Sequence, residues 1–372
     1  MTDENIERTT EYSKREAAHG TLEYDPFLRG RFPVGVRTIQ GFDRSRDRQF
    51  PIEIWYPASE IHAGQDIAPA TQDFFKVPTN DAPCKQMAVC NATAEPGTYP
   101  LIIFSHSSGG NRQQSTFLCT HLSSHGYLVA ALDHSEIVAA ELARKESETD
   151  EQKTARMEAW VANRVPDIRF LLDHLLNDAA WDSVAKIDPT RIGIVGHSFG
   201  GWTALAATEV EQRIRSVVAL APGGSSQPKP GIIRAALNFR WGRDVPTLYL
   251  VAQDDVFLPL AGMYELFERT PATKRMFILR RADHMHFMDN VEEMHETVRK
   301  MQFPGEASWI SKEMRPIAEL CSGEQAQLFV RGLTLCHMEA TLRGREEAQR
   351  LLASDMEVEL AHRGVEAVRY KP

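Results

Sequence analysis

The stretch Ile192-Gly-Ile-Val-Gly-His-Ser-Phe-Gly200 decides the fold class more than any other part of the sequence. Its first four residues form a short apolar run of the length expected for a buried strand. Glycines then flank Ser198 on both sides, and the segment Gly201-Trp-Thr-Ala-Leu-Ala-Ala207 that follows is rich in residues that favour helices. The sequence therefore predicts a strand, a tight turn at Ser198 and a helix in direct succession.

The alternation of apolar runs and helical segments continues on both sides of this turn. The apolar runs are Leu101–Ser105, Tyr127–Leu132, Ile192–Val195, Val217–Leu220, Thr247–Val251 and Met276–Leu279. Helices are expected between them, at Gln113–Ser124, Ile168–Leu176 and Gly201–Val210. Uninterrupted apolar runs are typical of parallel strands that helices cover on both faces. We therefore predict an α/β fold with a mostly parallel, doubly wound sheet.

The remaining segments divide the chain into an arm and one domain. Residues 1–30 are polar and predict an N-terminal arm, whereas residues 31–372 predict a single α/β domain. Val34–Gln40 and Phe50–Tyr56 have strand-like composition on either side of a polar turn, which predicts an antiparallel hairpin. Residues 57–98 show no clear period, so we predict a long surface excursion there.

Three segments next to the expected site are candidates for a helical cap. They lie near residues 135–165, 223–244 and 288–322, and the last two contain large apolar side chains. Gln325–Arg343 has the apolar spacing of an amphipathic helix. We predict that this C-terminal extension covers one face of the sheet.

Composition excludes several classes of partner. The 372 residues carry a formal net charge of −9, which argues against binding to nucleic acid or anionic membranes. No long apolar run predicts membrane insertion, and the polar N-terminus predicts a cytoplasmic location. The 5 cysteines lack metal-ligand spacing, so no zinc site is expected; Cys84 and Cys90 would pair only in an exported protein. No metal or organic cofactor is implied, and the composition leaves a homo-oligomer open.

Residues 196–200 match the Gly-x-Ser-x-Gly pattern of a nucleophile elbow, a strained strand-to-helix turn that exposes a serine hydroxyl. Ser198 is therefore the candidate nucleophile. Acyl transfer also needs N–H donors for the developing oxyanion. One donor is expected from Phe199, at the start of the helix. The second is expected in the loop Phe104-Ser-His-Ser-Ser-Gly-Gly-Asn111, with Ser108 as the candidate and Ser107 as the alternative.

The acid and the base are each expected after a later strand, and each place offers two candidates. Asp254 and Asp255 follow the run at 247–251, and His284 and His286 follow the run at 276–279. The resulting order Ser, Asp, His along the chain is the order that this kind of turn uses in hydrolases. We predict that further side chains near the rim line the substrate site: His106, Ser107, His197, Trp202 and His286.

From about Val34 to Phe287 the chain resembles one branch of the α/β-hydrolases. This branch contains platelet-activating-factor acetylhydrolases, dienelactone-hydrolase-like proteins and cutinase-like polyester hydrolases. The similar segments are Phe104-Ser-His-Ser-Ser-Gly-Gly, Ser124-His-Gly-Tyr-Leu-Val-Ala-Ala-Leu-Asp-His, Gly196-His-Ser-Phe-Gly-Gly and His284-Met-His-Phe. The resemblance implies that the base is His284, from a His-x-x-Phe pattern. It also implies that the acid is Asp255, from an Asp-x-x-x-Pro pattern that ends at Pro259.

Two departures limit what the resemblance implies about the substrate. The segment Ala219-Leu-Ala-Pro-Gly-Gly has no carboxylate where acetylhydrolases of the eukaryotic type carry their acid, and Ser107 replaces a usual glycine. The resemblance therefore implies a serine carboxylic ester hydrolase that forms an acyl-enzyme on a small-molecule ester, without an acetylhydrolase substrate. An amidase, a lactonase or a lipase could use the same residues. A catalytically silent binding protein is less favoured, because every position of the triad is filled.

Overall fold

The computed structural model describes residues 24–77, 80–145, 147–177 and 184–372. The strands in these ranges are β1 (Val34–Asp43), β2 (Arg48–Pro57), β3 (Phe74–Val77), β4 (Asn80–Lys85), β5 (Val89–Cys90), β6 (Gly97–Ser105), β7 (Leu128–Leu132), β8 (Ala185–His197), β9 (Ile214–Leu220), β10 (Thr247–Ala252), β11 (Lys274–Leu279) and β12 (Ala367–Arg369). The α-helices are α1 (Thr116–Ser124), α2 (Ser135–Val138), α3 (Asp150–Asn177), α4 (Phe199–Val210), α5 (Leu260–Arg269), α6 (Val291–Lys300), α7 (Ile310–Glu313), α8 (Gly323–Leu342), α9 (Glu346–Ala353) and α10 (Met356–Ala361).

Most strands join one mixed sheet with the order β12-β11-β10-β9-β8-β6-β7-β2-β1-β5. The strands from β11 to β7 in this order run parallel to one another, as their uninterrupted apolar runs predict. Antiparallel pairs occur at β11–β12, β7–β2 and β2–β1. The last of these is the predicted hairpin. The fold class predicted from the sequence is therefore confirmed.

Helices cover both faces of this sheet and bury two hydrophobic clusters. On one face, α3, α4 and α5 contribute side chains such as Leu171, Leu205 and Leu266. On the other face, α1 and α8 contribute Leu118 and Phe329, among others. Such burial on both sides explains why the central strands carry so few polar residues.

Helix α8 is the amphipathic helix expected in the C-terminal extension. It begins with a capping box, in which the Ser322 hydroxyl accepts from the Gln325 N–H and the Gln325 side chain accepts from the Ser322 N–H. Its apolar stripe packs on the sheet face that also carries α1. This prediction is confirmed.

The structure adds detail to two sequence predictions. The surface excursion predicted at residues 57–98 contains β3, β4 and β5, of which β3 and β4 pair with each other. Of the predicted arm 1–30, residues 1–23 lie outside the described residues, and the rest is packed against the domain. Phe27 is buried in the core, and the Gly30 N–H donates to the Ser124 hydroxyl at 2.9 Å.

The three predicted cap segments differ in structure. Residues 135–165 form α2 and the first half of α3, while residues 288–322 form α6, α7 and short 3₁₀ turns. Residues 223–244 contain no assigned helix or strand, yet Leu237 and Trp241 within them are buried. The action of these segments as a cap stays a prediction. Within the described ranges, every helix is too short or too polar to span a bilayer.

Candidate active site

Ser198 stands alone between the end of β8 and the start of α4. Its backbone has φ 59° and ψ −117°, a region that non-glycine residues rarely adopt. The Ser198 N–H donates to Leu220 O at 2.9 Å, and its carbonyl accepts from the Gly223 N–H at 2.9 Å. These hydrogen bonds hold the strained turn in place, and Ser198 is half-buried.

The glycines on either side of Ser198 are required by close packing. A Cβ at Gly200 would lie 1.9 Å from Ser105 O, and a Cβ at Gly196 would lie 2.0 Å from Gly200 O. Any larger residue would push the helix away from the end of β6. The Gly-x-Ser-x-Gly pattern thus brings the loop after β6 directly against the serine.

The structure brings Ser198, His284 and Asp255 together; we call these three residues the candidate triad. His284 Nε2 lies 2.8 Å from Ser198 Oγ, and His284 Nδ1 lies 2.7 Å from Asp255 Oδ2. The other oxygen of Asp255 accepts from the Leu258 N–H at 2.8 Å, which fixes the carboxylate. Nδ1 therefore carries the proton that faces Asp255, and Nε2 is free to accept the serine proton.

Asp254, the alternative acid, lies outside this arrangement. One of its carboxylate oxygens lies 3.2 Å from Arg315 Nη1, at an exposed position on the C-terminal segment. Asp254 and Asp255 lie in the turn after β10, where their side chains reach different partners, and Asp255 is the one that contacts the histidine. The geometry thus favours the acid that the Asp-x-x-x-Pro pattern implies.

Two aromatic rings fix the imidazole of His284. The Phe257 ring stacks on it with centroids 5.0 Å apart, and the His197 ring lies 4.7 Å away. The imidazole itself is only 4% exposed. It can therefore rotate little, and its two nitrogens remain aimed at Ser198 and Asp255.

The loop after β6 offers one of the two candidate oxyanion donors. The Ser107 N–H donates to Gln114 Oε1 at 2.8 Å, and the Ser107 hydroxyl contacts the same oxygen. The N–H and the hydroxyl of Ser107 therefore already have a hydrogen-bond acceptor within the protein. Ser108 is partly exposed, so its availability favours Ser108 over Ser107 as the candidate donor. The Phe199 N–H stands at the first turn of α4, where helical N–H groups have no partner within the helix.

The residues predicted to line the substrate site are buried, and their contact with a substrate stays a prediction. His106, His197 and His286 have no exposed surface, and Trp202 is 4% exposed. His197 Nδ1 accepts from the Gln114 amide at 3.0 Å, and the Trp202 indole N–H donates to Ala236 O. His197 and Trp202 are therefore hydrogen-bonded within the protein.

His286 belongs to a buried cluster with Asp283 and His295. The Nδ1 atoms of the two histidines lie 3.1 and 2.9 Å from the two oxygens of Asp283. The Nε2 atoms face Cys321 O and Arg315 O, at 3.1 and 2.8 Å. Burial disfavours a charge on His286, but the hydrogen bonds to Asp283 and Cys321 outweigh it and raise the pKa to about 10. The cluster therefore ties the loop after β11 to the C-terminal segment.

This cluster is also the group of described residues with donor atoms close enough for a metal ion, all within 4.8 Å of one another. Its members pair with one another as a carboxylate between two histidines, which accounts for their proximity without an ion. The cluster does not contact Ser198.

A second Ser–His–Asp arrangement, here called the buried triplet, consists of Ser105, His134 and Asp167. Ser105 Oγ lies 2.8 Å from His134 Nε2, and His134 Nδ1 lies 3.0 Å from Asp167 Oδ2. All three side chains are fully buried. Burial lowers the pKa of His134 well below its usual 6.5, and the positive charges of Arg164 and Arg46 lower it further. The imidazole is therefore neutral.

An open cleft of about 280 Å³ begins beside the loop after β6. Gly109 and Gly110 form one end, and Met288 lies on its wall next to the segment that carries His284. Ser198 and His284 themselves are not part of its lining. Its lining contains both polar and apolar side chains.

An apolar wall adjoins His284 through Phe257, which stacks on the imidazole. Phe303 contacts the edge of Phe257, with ring centroids 6.3 Å apart. Met285, Ile310 and Met314 form the small buried cluster beneath them. Phe303, Ile310 and Met314 belong to the predicted cap segment 288–322, so this segment adjoins the site through Phe257.

Sequence reasoning missed Gln114 and Arg164, which bind the loop after β6, and Asp167, which binds His134 and Ser135 after β7. Gln114 has no motif that marks it. Arg164 and Asp167 could have been found, because they occupy positions on the buried stripe of α3 otherwise filled by residues such as Ile168 and Leu171. A charged residue on an apolar helix face needs a buried partner, and that is a signal of function.

Comparison with solved structures gives a clear match for the whole architecture. The ferulic acid esterase from Streptomyces cinnamoneus superimposes with a TM-score of 0.60 over 87% of this chain and 94% of that chain, at 23% sequence identity. The chain therefore has the α/β-hydrolase fold. The model of the family "Platelet-activating factor acetylhydrolase, isoform II" also matches residues 39–169 of this chain, which end before Ser198.

Curated relatives agree with this assignment. A platelet-activating factor acetylhydrolase of Gallus gallus is 26% identical over 216 residues, 45% of this chain and 51% of the relative. Cutinase est1 of Thermobifida alba is 24% identical over 238 residues, 63% of this chain and 69% of the relative. The chain spans about half the length of the acetylhydrolases it matches first. These similarities support the esterase branch of the α/β-hydrolases.

Proposed function

We propose that this α/β-hydrolase is a serine carboxylic ester hydrolase that works through an acyl-enzyme. The observation that carries the proposal is the geometry of the candidate triad, with Ser198 Oγ 2.8 Å from His284 Nε2 at a strained, accessible turn. Acetylhydrolases, cutinases and a ferulic acid esterase are among the similar proteins, and ester hydrolysis is common to their names.

The proposed reaction has two halves that use the same residues. Ser198 Oγ attacks the ester carbonyl as its proton passes to His284 Nε2, and Asp255 stabilises the resulting imidazolium. The N–H groups of Phe199 and Ser108 receive the negative oxygen of the tetrahedral intermediate. His284 then donates its proton to the leaving alcohol. A water molecule repeats these steps on the acyl-enzyme and releases the acid and free Ser198.

For the substrate we propose a small-molecule ester that occupies the cleft beside Gly109 and contacts the apolar wall at Phe257. The mixed lining of the cleft supports a substrate that is neither a long lipid chain nor wholly polar. We also propose a cytoplasmic location, which the free thiols of Cys84 and Cys90 support. An amide or a lactone would fit the same machinery.

Labelling with a fluorophosphonate tests the proposal directly, because this probe reacts only with an activated serine. We expect one adduct on the full-length protein, located at Ser198 by mass spectrometry of peptides. Ser198→Ala should abolish the adduct, whereas the matched variant Ser105→Ala should keep it. An unlabelled wild type, or an adduct that survives in Ser198→Ala, would contradict the proposal.

A further inference from the structure

A buried arginine and a buried histidine hold the peptide that joins Ser107 to Ser108. The carbonyl oxygen of Ser107 faces His106 Nδ1 at 2.7 Å and accepts from Arg164 Nη2 at 3.2 Å. Arg164 Nη1 also donates to the carbonyl of His106, at 2.7 Å. Both side chains are completely buried. The carbonyls of this loop are therefore bound from the interior of the protein.

The hydrogen bonds of His106 define which nitrogen carries its proton. His106 Nε2 accepts from the His134 backbone N–H at 3.1 Å, so it cannot carry a proton itself. Burial lowers the pKa of His106 well below 6.5, with Arg164 and His134 adding to the effect, and the ring is neutral. The single proton thus sits on Nδ1 and is donated to Ser107 O.

The orientation of this carbonyl determines the orientation of the Ser108 N–H. In a trans peptide the C=O and the following N–H point in opposite directions. With Ser107 O held on the interior side, the Ser108 N–H points to the outer side, where Ser108 is partly exposed. Gln114 Oε1 holds the preceding N–H of Ser107, so the loop cannot easily rotate about this peptide.

Arg164 also contacts the second half of the oxyanion site. Its guanidinium lies 4.3 Å from the centroid of the Phe199 ring, and the Phe199 N–H is the other expected donor. The charge of Arg164 is balanced by a close ion pair with Glu136, itself buried. One side chain of α3 thus joins the loop after β6 to the start of α4.

We propose that Arg164 and His106 are positioning residues of the oxyanion hole, which fix the Ser107–Ser108 peptide so that the Ser108 N–H meets the developing negative charge. This inference rests on the proposed ester hydrolysis. Neither side chain touches the substrate. An oxyanion donor stabilises the transition state only if it is oriented before the reaction, so loss of this clamp lowers kcat more than it changes KM.

The test replaces Arg164 with and without its charged partner. Arg164→Met leaves Glu136 buried without a counter-charge, so the double variant Arg164→Met/Glu136→Gln is the variant that should fold. Arg164→Lys keeps the positive charge but has only one nitrogen to donate to the two carbonyls that the guanidinium binds. His106→Leu removes the Nδ1–H that donates to the Ser107 carbonyl. The matched control is Arg156→Met on the same helix, since Arg156 also pairs with a glutamate (Glu148) and lies over an aromatic ring (Trp160), away from the loop.

Two measurements separate positioning from general damage. The double variant should lower kcat on an activated ester about 10- to 100-fold with KM nearly unchanged, less than the effect of deleting an oxyanion donor. The inhibition constant of a trifluoromethyl ketone, whose adduct with serine places an oxyanion in the hole, should rise by a similar factor. Arg164→Lys should recover part of both losses, and Arg156→Met should change neither.

Each contrary result has one meaning. If a folded double variant keeps the wild-type kcat, or loses kcat while its ketone affinity stays unchanged, Arg164 does not position the oxyanion donor. If His106→Leu keeps both values, the histidine half of the proposal is wrong. A wild type that neither hydrolyses esters nor binds the ketone overturns the proposed function and this inference together.

Discussion

The described residues contain two Ser–His–Asp arrangements of nearly the same geometry, and they differ in backbone conformation and in exposure to solvent. In the candidate triad the Ser–His and His–Asp distances are 2.8 and 2.7 Å. In the buried triplet they are 2.8 and 3.0 Å. Both histidines direct Nδ1 to the carboxylate and Nε2 to the hydroxyl. The side-chain chemistry therefore does not distinguish the two Ser–His–Asp arrangements.

Backbone and access distinguish them instead. Ser198 occupies a turn with φ 59° and is half-buried, whereas Ser105 is the last residue of β6 and has no exposed surface. The buried triplet contacts both residues that bind the loop after β6, since Arg164 donates to Ser105 Oγ and His106 accepts from the His134 N–H. A serine becomes a candidate nucleophile through its place in the fold, and hydrogen-bond partners alone do not suffice.

The largest difference is expected between the two serines and their histidines. Ser198→Ala and His284→Ala should each lower kcat about 10⁵-fold or more, and the double variant should be little worse, because the two residues act as one unit. Ser105→Ala should stay within about tenfold of wild type and instead lower the free energy of unfolding by about 1 kcal/mol, the typical worth of one hydrogen bond. Steady-state rates on one activated ester and urea unfolding curves measure both effects. Wild-type turnover by Ser198→Ala would remove the distinction altogether.

Replacement of the aspartates should also affect kcat most at the candidate triad, but the difference should be smaller than for the serines. Asp255→Asn should lower kcat about 10³- to 10⁴-fold, since the amide would favour the wrong tautomer of His284. Asp254→Asn, next to it in the chain, should remain close to wild type because it loses only a pair with Arg315 at the surface. Asp167→Asn should mainly lower stability. If Asp254→Asn is the more damaging of the neighbouring pair, the acid has been assigned to the wrong residue.

Much of this site could be predicted from local sequence. The elbow at Ser198 and its glycines are a contiguous motif, and the fold class follows from apolar runs of strand length. Asp255 and His284 needed the order of the strands, because each follows a strand far along the chain. The choice of Asp255 over Asp254 and of His284 over His286 came from the resemblance, and the distances to His284 agree with it.

The support of the site could not be predicted in this way. Contacts such as those of Arg164 with the loop after β6 join residues 57 and 58 positions apart, and no spacing rule anticipates them. The histidines near the rim were predicted to line the pocket because sequence shows that they adjoin the turn but not which layer they occupy. His106 and His197 face inward, where their neutral rings act as hydrogen-bonding parts of the core.

A smaller effect concerns pH and the buried triplet. The pKa of His134 in the fold lies well below its usual 6.5, so the unfolded chain binds one proton more as the pH falls below 6.5. Stability should therefore decrease on acidification, by about 1.4 kcal/mol for this group at one pH unit below 6.5. His134→Gln should be less stable at pH 7.5 but should lose less between pH 7.5 and 5.5 than wild type. Urea unfolding at both pH values measures this; equal losses in the two proteins would mean that His134 is protonated in the fold.

The smallest expected effect concerns access of substrate to the serine, the property that most clearly separates the two Ser–His–Asp arrangements. Phe303 contacts Phe257, which stacks on His284, so the apolar wall adjoins the reacting atoms only at the candidate triad. Phe303→Ala should shift the preference between short and long acyl chains about two- to tenfold in kcat/KM, since each methylene in an apolar pocket contributes about 1 kcal/mol or somewhat more. Phe42→Ala, at a phenylalanine exposed on β1, is the matched control and should leave the preference unchanged. A series of p-nitrophenyl esters of increasing chain length measures the shift. An unchanged profile in Phe303→Ala would show that the substrate does not reach this wall and that the cleft beside Gly109 alone sets the preference.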